Sequence, residues 1–291
     1  MAAIIIDGKA IAAKVSGETR EKASLLKEQG ITPCLGVILV GDDPASHSYV
    51  KAKQKALADA GMDGRDFRLP GTASEEELLS IIASLNEDKK VHGILVQLPL
   101  PRHIRETAVI DAILPQKDVD SFHPVSLGKL LQGEKGFLPC TPHGVVVLLK
   151  ELNIPVSGSN TVIVGRSNIV GKPLALLLAR KENNATVTIC HTGTKNLSEH
   201  TLRADILIAA AGMPGLIKGD MVKQGAAVID VGVNRVEDAT AKAGFRLKGD
   251  VEYDEALERA GWITPVPGGV GPMTIAMLMR NVVEAAELYG K

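Results

Sequence analysis

Aromatic side chains are scarce in this chain: four Phe, three Tyr and a single Trp among 291 residues. Any large core must therefore be aliphatic. Cysteine is scarce as well, and Cys34, Cys140 and Cys190 stand far apart, which excludes a disulfide framework and a CxxC metal site and favours a reducing compartment. They are expected to be buried small hydrophobes. Neither sign of charge dominates, with 33 basic against 34 acidic residues and a formal net charge of −1, so there is no global electrostatic footprint for nucleic acid or an anionic membrane. No apolar run approaches the roughly 20 residues of a membrane span, and no basic leader precedes the short run in MAAIIIDGKA. The expectation is a soluble, cytoplasmic protein whose ligand is a small molecule read from local motifs.

What is present is apolar patterning. A hydrophobic fraction of 45% excludes disorder, and a chain beyond roughly 250 residues tends to divide its core in two. Gly8 to Gln29 keeps a helical period, and LGVILV at 35–40 is short and continuous enough for a buried strand. Asp43-Pro44 opens a helix that Gly61 ends, by capping logic at both termini. A strand from Arg65 to Leu69, a helix from Ser74 to Asn86 with Glu75, Glu76 and Glu77 at its positive end, and a strand from His92 to Gln97 continue the βαβ series.

The stretch from Pro115 to Pro139 reads as irregular, and a helix follows from Thr141 to Leu152. A second alternating series has strands at 161–164, 186–190, 205–211 and 226–232, and a last helix is expected over Met273 to Tyr289. The fold class is thus α/β. The expected division is a substrate domain over 1–140, completed by 272–291, and a Rossmann-type parallel-sheet domain over 141–271, with the C-terminal helix packing back on the first domain.

Two local features point to chemistry. The strand TVIV leads into Gly165-Arg166-Ser167-Asn168-Ile169-Val170-Gly171 and then a helix, where glycines let backbone N–H groups and a positive helix end face a pyrophosphate. The spacing is GxSxxxG rather than GxGxxG, and by itself it also fits a plain tight turn. The end of the next strand, Cys190-His191-Thr192-Gly193-Thr194-Lys195, carries no acid. An acid there binds a free ribose hydroxyl and repels a 2′-phosphate, whereas Thr192 or Thr194 and Arg166 can hydrogen-bond to that phosphate. NADP is the preferred cofactor.

The second feature is Tyr49 and Lys53, spaced i and i+4 so that they share a helix face. A lysine disfavoured as a cation can act as a base near neutral pH. The alternation of Lys51, Lys53 and Lys55 also fits a merely solvated basic helix. A YxxxK pair more than a hundred residues before the glycine turn runs opposite to the order in short-chain dehydrogenases.

With these residues in view, the chain closely resembles the bifunctional methylenetetrahydrofolate dehydrogenase/cyclohydrolase family. The likeness runs through YVKAK at 49–53, GILVQLPLP at 93–101, KDVDSFHP at 117–124, PCTPHG at 139–144, VGRSNIVGKP at 164–173, VIDVGVNR at 228–235 and TPVPGGVGPMT at 264–274. The resemblance implies oxidation of 5,10-methylenetetrahydrofolate by NADP to the methenyl form, then hydrolysis to 10-formyltetrahydrofolate, by a homodimer. It implies that Lys53 is the central catalytic group, Tyr49 lines the folate site, Gln97 supports the lysine and Asp120 binds the pterin. Val96 and Leu98 flank that site. A loop of Pro267, Gly268, Gly269, Val270, Gly271, Pro272, Met273, Thr274 and Ile275 is expected to close over folate, with Trp262 beside it as a fluorescent reporter. Cofactor positions carry over to Gly165, Arg166, Ser167, Thr192 and Val233. The family often has serine where this chain has Thr192, which retains the hydroxyl. The rivals are a shikimate-type two-domain dehydrogenase and a non-catalytic dinucleotide-binding module.

Overall fold

The structure is a computed structural model that describes residues 3–241 and 244–290. The chain divides into two units, one comprising 13–140 with the segment from Ile275 onward, the other the N-terminal segment through Ala12 with Thr141–Thr274.

In the first of these units a three-stranded parallel sheet is ordered Asp63–Leu69, Cys34–Val40, Gly93–Val96. All seven residues of Cys34–Val40 are buried, as a central strand covered on both faces requires. The chain leaves this strand through the helix Pro44–Asp59 to one neighbour, then crosses by the helix Glu75–Glu87 to the other. Both helices are capped as their sequences indicate: the Ser46 amide donates to Asp43 Oδ2 at 2.7 Å and the Glu77 amide to Ser74 Oγ at 3.1 Å. Cys34, Ile38, Val40, Leu78, Ile82, Leu85, Ile94 and Val96 form the core between them, with no aromatic ring among the fully packed members.

The stretch over 115–139 is less irregular than its composition indicates. It contains the helix Pro124–Gln132, which starts on an unusual cap, His123 Nδ1 accepting from the Val125 amide at 3.0 Å, and ends at Gly133 with φ +74°. Just before it, Asp118 is buried and accepts from the Phe122 and His123 amides and from Ser126 Oγ. That aspartate fixes the turn, and Ile94 pairs with it in parallel register. Two residues further on, Asp120 lines a small cavity with Val96 and Leu98.

The other unit holds six parallel strands in the order Ile4–Ile5, Trp262–Ile263, Ala227–Asp230, Ile206–Ala209, Asn160–Val164, Thr186–Cys190. Residues 3–12 therefore fall here rather than in the 1–140 segment expected from sequence. The reason is backbone pairing: the Ile4 and Ile6 amides donate to Gly261 O and Ile263 O at 2.8 Å. Strands of two residues carry too little pattern to be read in advance. An antiparallel ribbon, Asn234–Glu237 with Phe245–Lys248, was also unread; Arg235 stacks on the Phe245 ring at 3.5 Å.

The last helix spans Val270–Tyr289, starting three residues before the expected Met273. From Ile275 on, it belongs to the first unit. Asn281 fastens it there: its buried amide donates to Val119 O at 2.8 Å and Leu138 O at 2.9 Å. Replacing Asn281 by Leu keeps the volume, removes this donor from Leu138 O and leaves Val119 O with the weak Cys140 thiol donor at 3.4 Å, a change expected to cost about 1–3 kcal/mol. Urea unfolding measures it, and a loss too small to shift the midpoint contradicts the fastening role.

Candidate active site

The helix Pro44–Asp59 presents three alternating lysines, and their environments differ. Lys51 and Lys55 are exposed, Lys55 pairing with Asp59 at 2.6 Å, as a solvated helix face predicts. Lys53 is 8% exposed. One turn away Tyr49 shares its face and remains 38% exposed, its phenol pushed above the ordinary value by partial burial.

Lys53 Nζ donates to Gln97 Oε1 at 3.0 Å. Gln97 is fixed in turn, its side-chain amide donating to Leu98 O at 2.7 Å and its backbone amide to Ile38 O at 2.8 Å. The residue that follows the carboxyl end of the third strand thus meets the helix that follows the adjacent first strand, and the chain has changed side between them. Open α/β sheets bind ligands at this kind of crossover.

Burial pushes the Lys53 ammonium below the ordinary lysine range, opposed by the negative charge of Asp120 and by Cys140. Asp120 is half-buried; burial raises its carboxyl, Lys53 lowers it and Asp118 raises it. Cys140, buried beside this aspartate, has its thiol pushed well up by burial and by Asp120. It is a neutral neighbour of the cluster and not a nucleophile. A buried lysine whose hydrogen-bond acceptor is an uncharged amide suits proton transfer at a bound cation.

The proposed folate loop is shorter than expected. Only the residues through Gly269 precede the helix, so Val270 to Ile275 form its first turns, and Val270 and Met273 are buried. Thr274 Oγ1 lies 2.9 Å from Thr141 Oγ1. Trp262 lines a cavity of about 370 Å³ with Pro155, Lys223 and Gly225. It stands at the first position of its strand, away from the carboxyl end that leads to the loop, which removes the basis for using it as a folate reporter.

In the six-stranded sheet the chain again changes side, leaving Asn160–Val164 for Thr186–Cys190 and then crossing to Ile206–Ala209. Gly165 follows the first of these with φ +139°, and a Cβ there would lie 2.1 Å from Ala210 O; one on Gly171 would lie 2.1 Å from Gly165 O. The two glycines of GxSxxxG are thus required by backbone packing at the crossover. Ser167 Oγ accepts from the Val170 and Gly171 amides at 3.1 and 3.3 Å, shaping the turn into the helix.

Arg166 and Thr192 are exposed and, among the described residues, have no side-chain partner. Thr194, the other hydroxyl considered, accepts from the His191 amide at 2.8 Å and serves the loop. Val233, 41% exposed, follows the strand Ala227–Asp230. A guanidinium, a hydroxyl and a glycine turn with no competing carboxylate suit a phosphorylated dinucleotide.

These two arrangements agree with what the chain is similar to. A family model described as the tetrahydrofolate dehydrogenase/cyclohydrolase catalytic domain matches residues 6–120, and the NAD(P)-binding domain of the same family matches 139–289. The chain belongs to the tetrahydrofolate dehydrogenase/cyclohydrolase family. The bifunctional protein FolD of Bacillus subtilis is 55% identical over 287 residues, 99% of each chain. Among solved structures, the bifunctional FolD enzyme of Campylobacter jejuni superposes with a TM-score of 0.93 at 49% identity, covering 99% of both chains. The Trypanosoma brucei enzyme complexed with NADP and an inhibitor gives 0.95 at 40% identity, covering 99% of this chain and 98% of that one. Membership in this family removes the shikimate-type and non-catalytic readings.

Sequence reasoning did not single out Asp230 and Asp250. Both are buried, and burial pushes the Asp230 carboxyl up to about 6 against the pull of three backbone amides. Between the ordinary aspartate range and about pH 6, the folded chain holds a proton that the unfolded chain has released. This group therefore favours the fold most at acid pH, and its contribution is lost as pH rises through about 6. Carboxyl ¹³C NMR should find the Asp230 midpoint near 6; titration near 4, the ordinary aspartate value, contradicts the burial argument.

Proposed function

We propose that Lys53 is the proton-transferring group, with Tyr49, Gln97 and Asp120 around the substrate, in the two folate reactions of this family. The chain oxidises 5,10-methylenetetrahydrofolate to 5,10-methenyltetrahydrofolate with NADP and hydrolyses the product to 10-formyltetrahydrofolate. The observation that carries the assignment is the buried Lys53 hydrogen-bonded to the neutral Gln97 amide at a sheet crossover. In this reading the unit containing Lys53 binds folate and the six-stranded unit binds NADP through Gly165, Arg166, Ser167, Thr192 and Val233.

NADP, when bound, supplies the hydride acceptor. Hydride departure from the bridge carbon is driven by the adjoining nitrogen lone pairs and needs alignment more than a base. Asp120 offers two acceptor oxygens to the amidine-like edge of the pterin, and Tyr49 lines the folate from the same helix face as Lys53.

Hydrolysis makes the greater demand on Lys53. A water oxygen bonds to the methenyl carbon and one of its protons passes to neutral Lys53. As the carbon–nitrogen bond opens, the departing folate nitrogen takes that proton from Lys53, which is neutral again, and the second water proton leaves to solvent. Burial already favours the neutral amine, and the positive charge of the methenyl substrate favours it further. Gln97 Oε1 holds the nitrogen in place without adding the negative charge that would restore the ammonium.

We further propose that the chain works in the cytoplasm, a reading suited by three buried free cysteines, and as the homodimer that the family resemblance implies; sedimentation of the purified chain tests the assembly.

Lys53→Met should lower cyclohydrolase activity by about 10²–10⁴-fold, the usual range for a removed acid–base group, and dehydrogenase activity much less. A coupled assay following methenyl formation and its hydrolysis measures both, and equal retention of the two activities overturns the role. In the cofactor site, turnover should favour NADP over NAD, and Arg166→Ala should raise the NADP KM about tenfold, as loss of a charged hydrogen bond does. A strong NAD preference in the unmodified chain contradicts the assignment of Arg166 and Thr192.

A further inference from the structure

Two buried aspartates lie beside the carboxyl ends of Ile206–Ala209 and Ala227–Asp230, next to the strand that Gly165 terminates. Asp250 has every acceptor position of its carboxylate in use. One oxygen takes the Ala211 amide at 2.6 Å and the Gly212 amide at 2.9 Å; the other takes the Met213 amide at 2.9 Å and Asn234 Nδ2 at 2.8 Å. Three successive amides converging on one carboxylate define the turn that follows Ile206–Ala209. That turn begins at Ala210, whose carbonyl sits against Gly165.

Asp230 secures the same carboxylate from below. It accepts from the amides of Gly232, Asp250 and Val251 at 2.9–3.0 Å. The packing is reciprocal: a Cβ on Gly232 would lie 2.2 Å from Asp250 Oδ1, and one on Gly249 would lie 1.9 Å from Asp230 Oδ2. The segment 230–234, which contains Val233, is thereby bound at both ends to the segment 249–251.

We propose that Asp250 is a positioning residue for the dinucleotide, holding the Ala211–Met213 turn and, through Asn234, the backbone beside Val233 in the geometry that receives NADP. This inference rests on the assignment of Gly165, Arg166 and Val233 to the cofactor. Asp250 itself is 0% exposed; it acts through the amides it gathers. A carboxylate suits the task because it only accepts. In Asp250→Asn one acceptor oxygen becomes an NH₂ group directed at backbone donors, and the turn must open.

NADP titrations, steady-state kinetics and amide hydrogen exchange on the full chain test the proposal. Asn234→Ala removes one of the four donors from a half-buried position and leaves the fold intact. It should raise the NADP Kd and KM about five- to tenfold, with kcat recovered at saturating NADP. Asp250→Asn should raise them at least thirtyfold and accelerate exchange at Ala211–Met213. If Asp250→Asn does not fold, Asn234→Ala alone decides. Arg166→Ala separates the two levels of the argument. If it weakens NADP while Asn234→Ala and Asp250→Asn bind NADP as the unmodified chain does, the positioning role is overturned. If Arg166→Ala also leaves NADP binding unchanged, the cofactor assignment beneath it has failed. A fall in kcat at unchanged NADP KM in Asn234→Ala likewise contradicts positioning.

Discussion

A parallel sheet covered by helices on both faces leaves an opening for a ligand where successive connections leave a strand in opposite directions. Each unit of this chain contains such a crossover, and each crossover carries the residues with unusual chemistry. In the three-stranded sheet, the helix after Cys34–Val40 and the turn after Gly93–Val96 bring Lys53 to Gln97. In the six-stranded sheet, the turn after Asn160–Val164 brings Gly165 against the carbonyl of Ala210. The remaining features of both sites are arranged around these two connections.

The two sites treat buried charge differently, and the difference follows from their tasks. Lys53 donates to the neutral Gln97 amide and faces a carboxylate that is itself partly disfavoured by burial. Burial pushes the lysine toward the neutral amine, the form a base requires. Asp230 and Asp250 instead accept from backbone amides on every side. Such groups set geometry, since the amides they hold cannot leave without stranding a buried carboxylate.

Much of this organisation was legible because buried parallel strands are short apolar runs, and the scarcity of aromatics already indicated an aliphatic interior. Helix caps at Asp43 and Ser74 follow from residue type alone. The helix over 124–132 was hidden because its cap is a histidine, and two-residue strands have no period to detect. Among Lys51, Lys53 and Lys55 no local pattern shows which is buried; that depends on Gln97, 44 residues away, and was supplied by family resemblance. In KDVD, residue type does not distinguish Asp118, which holds a turn, from Asp120, which faces Lys53. The Asp230–Asp250 pair joins two segments through space, and neither segment announces the other.

The central claim is that burial against an uncharged acceptor keeps Lys53 available as a base. The most direct measurement is the titration of its Nζ by NMR in the chain with isotopically labelled lysine, assigned by comparison with Lys53→Met. The account predicts one lysine resonance titrating below the ordinary lysine range and moving lower still when a cationic folate analogue binds. A Lys53 that titrates in the ordinary lysine range, with and without the analogue, would contradict it.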